Sequence, residues 1–148
     1  MQGRFNFHLL TDLYDDARFR AADSSVTRTY TNATSMCELL GMKIAVPKND
    51  FDNGILEQMA DVNGWNEAWI GVNDIAVEGE WMDQIGNQQR YQNWADGEPN
   101  NAGNDENCAS LRVDLNGTWN DANCGSSYGV ICETGNYYNC LERILIPI

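Results

Sequence analysis

From residue 31 the apolar positions recur at helical spacing and then stop. In "TNATSMCELL" Ala33, Met36, Cys37 and Leu40 fall on one side of a helix over 31–40, and Gly41 ends it. "DFDNGILEQMA" repeats the pattern with Phe51, Ile55, Leu56 and Met59, predicting a second helix over 50–60. Asn49 or Asp50 caps it and Gly64 lies beyond, while Gly54 inside is a weak point. After Trp65 the period changes. "WIGV" (69–72) reads as a short buried strand. In "CASLRVD" (108–114) Ala109, Leu111 and Val113 alternate with Ser110, Arg112 and Asp114, the pattern of a half-buried strand. "GVICE" (129–133) predicts another. Residues 73–107 show little regular pattern, and so long a loop in a compact domain is usually a functional one.

All five tryptophans lie between Trp65 and Trp119, enough aromatic surface to pack such a region internally. Trp69, Trp81, Trp94 and Trp119 are expected in the core or the packed loops. Trp65, in "VNGWNEA", is expected to be the exposed exception.

Composition narrows the function. The chain has 148 residues, 43% of them hydrophobic and 21% charged, which fits one folded domain. Its net charge of −13, with only nine scattered Lys and Arg, excludes a phosphate-binding surface and hence nucleic acid. Such acidity suits divalent cations or plain solubility. No apolar run is long enough for membrane insertion, and "MQGRFNFHLL" lacks the features of a signal peptide. Five cysteines without a CxxC pair, and a single histidine (His8), make a zinc site improbable. The odd count leaves at most two internal disulfides and one further thiol. If Cys108 and Cys124 bond, they close a loop of about fifteen residues, which contributes ~3 kcal/mol in the chain-entropy model. That closure also brings Glu106 close to Asn120 and Asp121. Asn32-Ala33-Thr34 and Asn116-Gly117-Thr118 are glycosylation triplets, a weak pointer to an extracellular setting.

Oxygen-bearing side chains crowd the irregular region. Asp74, Glu78, Glu80, Asp83, Asp96, Glu98, Asp105, Glu106, Asp114 and Asp121 are interleaved with asparagines, most densely in "GEPNNAGNDEN" (97–107). Hard cations such as calcium take about six to eight oxygens from carboxylates and amides. There is no EF-hand spacing, and composition alone leaves a solvated acidic surface equally open. Glu98-Pro99-Asn100 tilts the reading, because side chains two apart on an extended backbone point the same way and the proline fixes that geometry.

"WIGV", "GEPNN", "ENC", "TWNDANC" and "GVICE", in this order and at these intervals, resemble the C-type lectin-like domain, and more narrowly its calcium-dependent, mannose-type sugar-binding members. The resemblance covers 17–134 and leaves an N-terminal extension (1–16) and a C-terminal tail (135–148). It implies an α+β fold with two helices, two small antiparallel sheets and a long irregular loop region. It pairs Cys37 with Cys132 and Cys108 with Cys124, leaving Cys140 outside, and so implies a secreted or extracellular protein.

The resemblance places calcium (Ca2+) on Glu98, Asn100, Glu106, Asn120 and Asp121, which also bind the sugar. A sugar hydroxyl has one proton and two lone pairs. One lone pair can ligate calcium, the other accepts from an Asn amide, and the proton goes to a Glu carboxylate. Glu98 with Asn100, and Glu106 with Asn120, supply two such sets for vicinal hydroxyls. The Glu-Pro-Asn order implies mannose, glucose, N-acetylglucosamine or fucose. A second calcium site maps onto Asp74, Glu78, Asn101, Glu106 and Asn107. Asn101 and Asn107 stand where related sequences carry aspartate, so this site is expected to be weak or empty.

The implied partners are glycans or glycoconjugates. Weak single sites gain avidity by clustering, and Cys140 or the apolar "LERILIPI" tail is a candidate homo-oligomer contact. Two other functions compete. Glycoside hydrolysis by a carboxylate pair such as Glu98 and Glu106 needs one of them protonated, which a polar calcium loop opposes; no enzyme is expected. Ice-binding or mineral-associated members of the same fold offer a non-sugar alternative.

Overall fold

The computed structural model describes residues 18–135, so Cys140 and both terminal segments lie outside the described residues. Two side-chain caps start the helices. The Thr29 hydroxyl accepts the Asn32 N–H at the start of α1 (Tyr30–Leu39), and Asn49 Oδ1 accepts the Asp52 N–H, at 2.8 Å, at the start of α2 (Asp50–Val62). Asp50 and Asp52 complement the positive end of α2.

Helix α1 buries Tyr30, Ala33 and Cys37, close to the apolar stripe, with Leu40 left exposed at its C-cap. In α2 the inward face is turned away from that stripe. Phe51 is 77% exposed, while Asp52 and Asn53 are buried beside Leu56 and Ala60. The reason is polar satisfaction. Asp52 accepts from Arg18 Nη1 at 2.7 Å and from the Lys48 N–H at 3.0 Å. Asn53 accepts the Trp119 indole N–H at 2.7 Å and donates to the Gly117 carbonyl at 2.9 Å.

Seven strands follow: β1 (Phe19–Ala21), β2 (Met42–Ile44), β3 (Glu67–Asn73), β4 (Met82–Asp83), β5 (Cys108–Arg112), β6 (Thr118–Ala122) and β7 (Gly129–Thr134). β1 and β2 each pair antiparallel with β7, and β4, β3, β5 and β6 form a second antiparallel group. A short parallel pairing of β3 with β7, Ala68 opposite Gly129 and Trp69 opposite Val130, joins the two groups into one mixed sheet. The fold is α+β, as expected. β5 is more buried than its alternation predicts, since Ser110 is 0% exposed. Its hydroxyl is satisfied by donating to Glu67 Oε1 at 2.7 Å. Val113 and Asp114 leave the strand in a 3₁₀ turn, Val113–Leu115.

The core packs on both sides of this sheet. One side gathers Leu56, Ile70, Val72, Leu111 and Trp119; the other gathers Tyr30, Ala33, Trp69, Val130 and the disulfide Cys37–Cys132. A second disulfide, Cys108–Cys124, lies under the long loop. Trp65 corrects the expectation of exposure. It is 6% exposed, because its indole covers Gly129, where any Cβ would run into the ring. The other tryptophans are buried or half-buried, with Trp81 against Trp94 at 4.6 Å between centroids and Trp94 against Trp119 at 5.5 Å. Asn32 and Asn116, the two glycosylation candidates, are both exposed. No helix among the described residues is long and apolar enough to cross a membrane.

Gly71 is the tightest backbone contact that bears on stability here. A Cβ would stand 2.6 Å from the Ile44 carbonyl oxygen and 2.9 Å from Val46 Cγ2. Gly71→Ala is therefore expected to destabilise the fold by about 1–3 kcal/mol, the usual range for overpacking. Urea denaturation measures it, and an unchanged midpoint would mean β2 and β3 separate freely.

Candidate functional site

The irregular segment gains its shape by leaning on β6. The Trp119 N–H donates to the Asn93 carbonyl at 2.8 Å, and the Ala95 N–H to the Trp119 carbonyl at 2.9 Å. A turn then closes with the Glu98 N–H on the Ala95 carbonyl at 3.0 Å, followed by a cis Glu98–Pro99 peptide. This carries Glu98 to the Asp121 end of β6. Glu106 arrives by another route. The β5–β6 register sets Ala109 opposite Asp121 and Cys108 opposite Ala122, and the Cys108–Cys124 disulfide ties the same corner.

Glu98, Glu106 and Asp121 consequently bring one carboxylate oxygen each within 4.8 Å of one another. Asp121 is 0% exposed and accepts the backbone N–H groups of Asn100 at 3.1 Å and Asn101 at 2.6 Å. Asn100 Nδ2 donates to Glu98 Oε1 at 3.0 Å, and the Ala102 N–H donates to Glu106 Oε2 at 2.8 Å. Glu98 Oε2 is buried and has no hydrogen-bond partner. No salt bridge links any of the three carboxylates to Lys or Arg among the described residues.

Burial, followed by the contact and charge of Asp121 and then the charge of Glu106, pushes the Glu98 carboxyl up to about 7 against the lowering bond from Asn100. Three negative groups this close repel unless a positive ion is shared. The donor set is all oxygen, and it includes one buried oxygen with nothing to bind. These residues fit a hard divalent cation. Asn120 precedes Asp121 on β6, half-buried, with Ser110 as its cross-strand partner. Its side-chain amide makes no hydrogen bond among the described residues.

The auxiliary residues fall next to this cluster. Asp74 is 2% exposed; its Oδ2 accepts the Gly79 N–H at 2.8 Å, while Oδ1 is buried without a partner. Desolvation and the charges of Asp74 and Asp121 push the exposed Glu78 carboxyl up, against the lowering influence of the Asn101 side chain. Asp74, Glu78 and Asn101 thus border the first set through Asp121. Asn107 contributes its backbone carbonyl, which accepts the Asp74 N–H at 3.1 Å. Two supporting residues carry no signal in the sequence: Asp105 accepts from Asn123 Nδ2 at 2.7 Å and moors the loop tip beside Cys124. A pairing so distant in sequence has no local signature. The left-handed backbones of Asn101 and Asn104, φ 46° and 57°, belong to the residue type that best tolerates them.

The sequence matches the Lectin C-type domain over residues 26–134. The chain belongs to the C-type lectin domain family. Solved relatives share its three-dimensional form. The mouse scavenger receptor C-type lectin carbohydrate-recognition domain is 26% identical with a TM-score of 0.70, over 78% of this chain and 88% of that one. The cow C-type carbohydrate-recognition domain of CD23, solved in the presence of a GlcNAc2Man3 oligosaccharide, is 32% identical with a TM-score of 0.65, over 77% and 82%. A calcium-independent type II antifreeze protein, 22% identical with a TM-score of 0.67 over 77% and 82%, shares the fold. C-type lectin domains are typically non-enzymatic modules that bind glycans and generally hold calcium, and the acidic cluster of this C-type lectin domain is of a kind that can hold a metal.

Proposed function

We propose that this C-type lectin domain binds glycans in a calcium-dependent manner through Glu98, Asn100, Glu106, Asn120 and Asp121, with a preference for mannose-type sugars. The observation that carries the reading is the convergence of Glu98, Glu106 and Asp121 within 4.8 Å, with Glu98 Oε2 buried and unpaired. Calcium, when bound, supplies a positive centre that two vicinal hydroxyl oxygens can share with the protein. Around it the side chains divide the hydroxyl group between them. Glu98 and Glu106 accept hydrogen bonds from the hydroxyl groups, and the amides of Asn100 and Asn120 donate to the remaining lone pairs. Asp121, buried and held by two backbone N–H groups, fixes the cluster from below.

The Glu98-Pro99-Asn100 order supports mannose, glucose, N-acetylglucosamine or fucose as the bound sugar. Asp74, Glu78, Asn101 and Asn107 form at most a weak second calcium site, since two of the four are neutral amides. The two disulfides favour a secreted or extracellular setting. Useful avidity then comes from clustering several copies, for which Cys140 and the tail remain candidates. With its carboxylates serving a cation, the domain is a binding module and not an enzyme.

A glycan array probed with calcium and again with a chelator tests the reading. Signal on mannose-, glucose-, N-acetylglucosamine- or fucose-terminated glycans, lost in chelator, is expected. Equal signal in chelator overturns the calcium role. Thermal hysteresis without any glycan signal selects ice binding.

A further inference from the structure

Asn101 makes three hydrogen bonds within the loop. Its N–H donates to Asp121 Oδ2 at 2.6 Å, and its carbonyl accepts the Asn104 N–H at 2.9 Å. Its Oδ1 accepts the Glu106 N–H at 3.0 Å, and its side chain acts on the Glu78 carboxyl against the raising charges of Asp74 and Asp121. The Ala102 N–H returns a bond to Glu106 Oε2 at 2.8 Å, so the segment 101–106 is closed from both ends. One residue in left-handed backbone, φ 46° and ψ 49°, therefore joins Glu106 to Asp121.

We propose that Asn101 is the positioning residue of the calcium loop, tying Glu106 to Asp121 through neutral hydrogen bonds without a second cation, where a carboxylate would add negative charge. The inference rests on the calcium reading of Glu98, Glu106 and Asp121. Its physical basis is that a neutral side chain accepts from the Glu106 N–H while the backbone N–H of the same residue holds Asp121. An aspartate has only acceptors. It could still accept from the Glu106 N–H, but it would stand among the carboxylates of Glu78, Glu106 and Asp121 as a fourth like charge.

Asn101→Gly tests this cleanly, because glycine tolerates the left-handed backbone and keeps the N–H and carbonyl while removing the amide. Two measurements are made: calcium binding by titration calorimetry, and hydrogen exchange of the Ala102 and Glu106 amides in chelator. The parent is expected to take up one calcium ion strongly. Asn101→Gly is expected to bind it about tenfold more weakly, equivalent to about 1.4 kcal/mol, with faster exchange at Glu106. Asn101→Asp should also weaken binding, and adding Glu78→Gln to it should recover part of the loss, which a merely flexible loop would not do. Binding by Asn101→Gly within about twofold of the parent, with unchanged exchange at Glu106, overturns the proposal. So does a parent that binds two calcium ions with similar affinity. A parent that binds no calcium overturns the calcium reading instead, and the exchange measurement in chelator still decides the role of Asn101.

Discussion

Glu98→Gln is expected to change calcium binding and metal-free stability in opposite directions. The side chain has one oxygen held by Asn100 Nδ2 and another buried without a partner, and it lies against Asp121 and Glu106. Removing its charge takes one of the negative groups from the cation, and calcium affinity should fall by about tenfold or more, since ligand charge count tunes such sites. In chelator the same change relieves repulsion with Asp121 and Glu106 and gives the buried position a donor. The thermal midpoint of the metal-free protein should therefore rise above that of the parent. Calcium titration calorimetry and paired melts with calcium and with chelator measure both. A lower midpoint in chelator would show that the three carboxylates are not under mutual strain. Unchanged calcium affinity would remove Glu98 from the proposed ligand set.

Trp119→Ala is expected to be the most damaging single change. Trp119 is fully buried, packs edge-on against Trp94 and Tyr91, and donates its indole N–H to Asn53 at 2.7 Å. Its backbone holds Asn93 and Ala95, so the ring and the loop before Glu98 share one seat. Truncation of a buried tryptophan costs about 3–5 kcal/mol, and the stranded Asn53 oxygen adds about 1 kcal/mol or more. Against a typical total of about 5–15 kcal/mol, little stability remains. Urea denaturation should show the loss, and calcium binding should weaken with it because Asp121 is two residues along the same strand. Trp119→Phe separates the two effects: it keeps most of the packing and loses the bond to Asn53. A Trp119→Ala variant with parental stability would show that the contacts around the indole contribute little.

Much of the framework was legible because it is written in short-range terms. Asn49 was readable as a cap, glycine ended both helices near the expected positions, and "WIGV" and "GVICE" lie inside β3 and β7. The ordered motifs from "GEPNN" to "TWNDANC" marked the segments that meet at the site. Other features escaped because periodicity assumes that polar residues face water. Asp52 and Asn53 turn inward in place of Phe51 because Arg18, Trp119 and Gly117, all remote in sequence, satisfy them. Ser110 is buried because Glu67 accepts the hydrogen bond of its hydroxyl. Trp65 looked exposed among polar neighbours, yet Gly129 on a distant strand gives its ring a flat surface to cover.

The sequence by itself determined the ingredients: an acidic, oxygen-rich loop without soft metal ligands, the residues that cap and turn the chain, and the order of motifs that marks a C-type lectin domain. Only the tertiary structure decided which of the many carboxylates converge. Glu98 reaches Asp121 through the backbone bonds to Trp119, and Glu106 reaches it through the β5–β6 register and the Cys108–Cys124 link. The same contacts gave Asn101 and Asp105 their bonds across the loop. Side-chain type is a local property, whereas meeting at one point depends on strand register and chain closure, which no window of sequence contains.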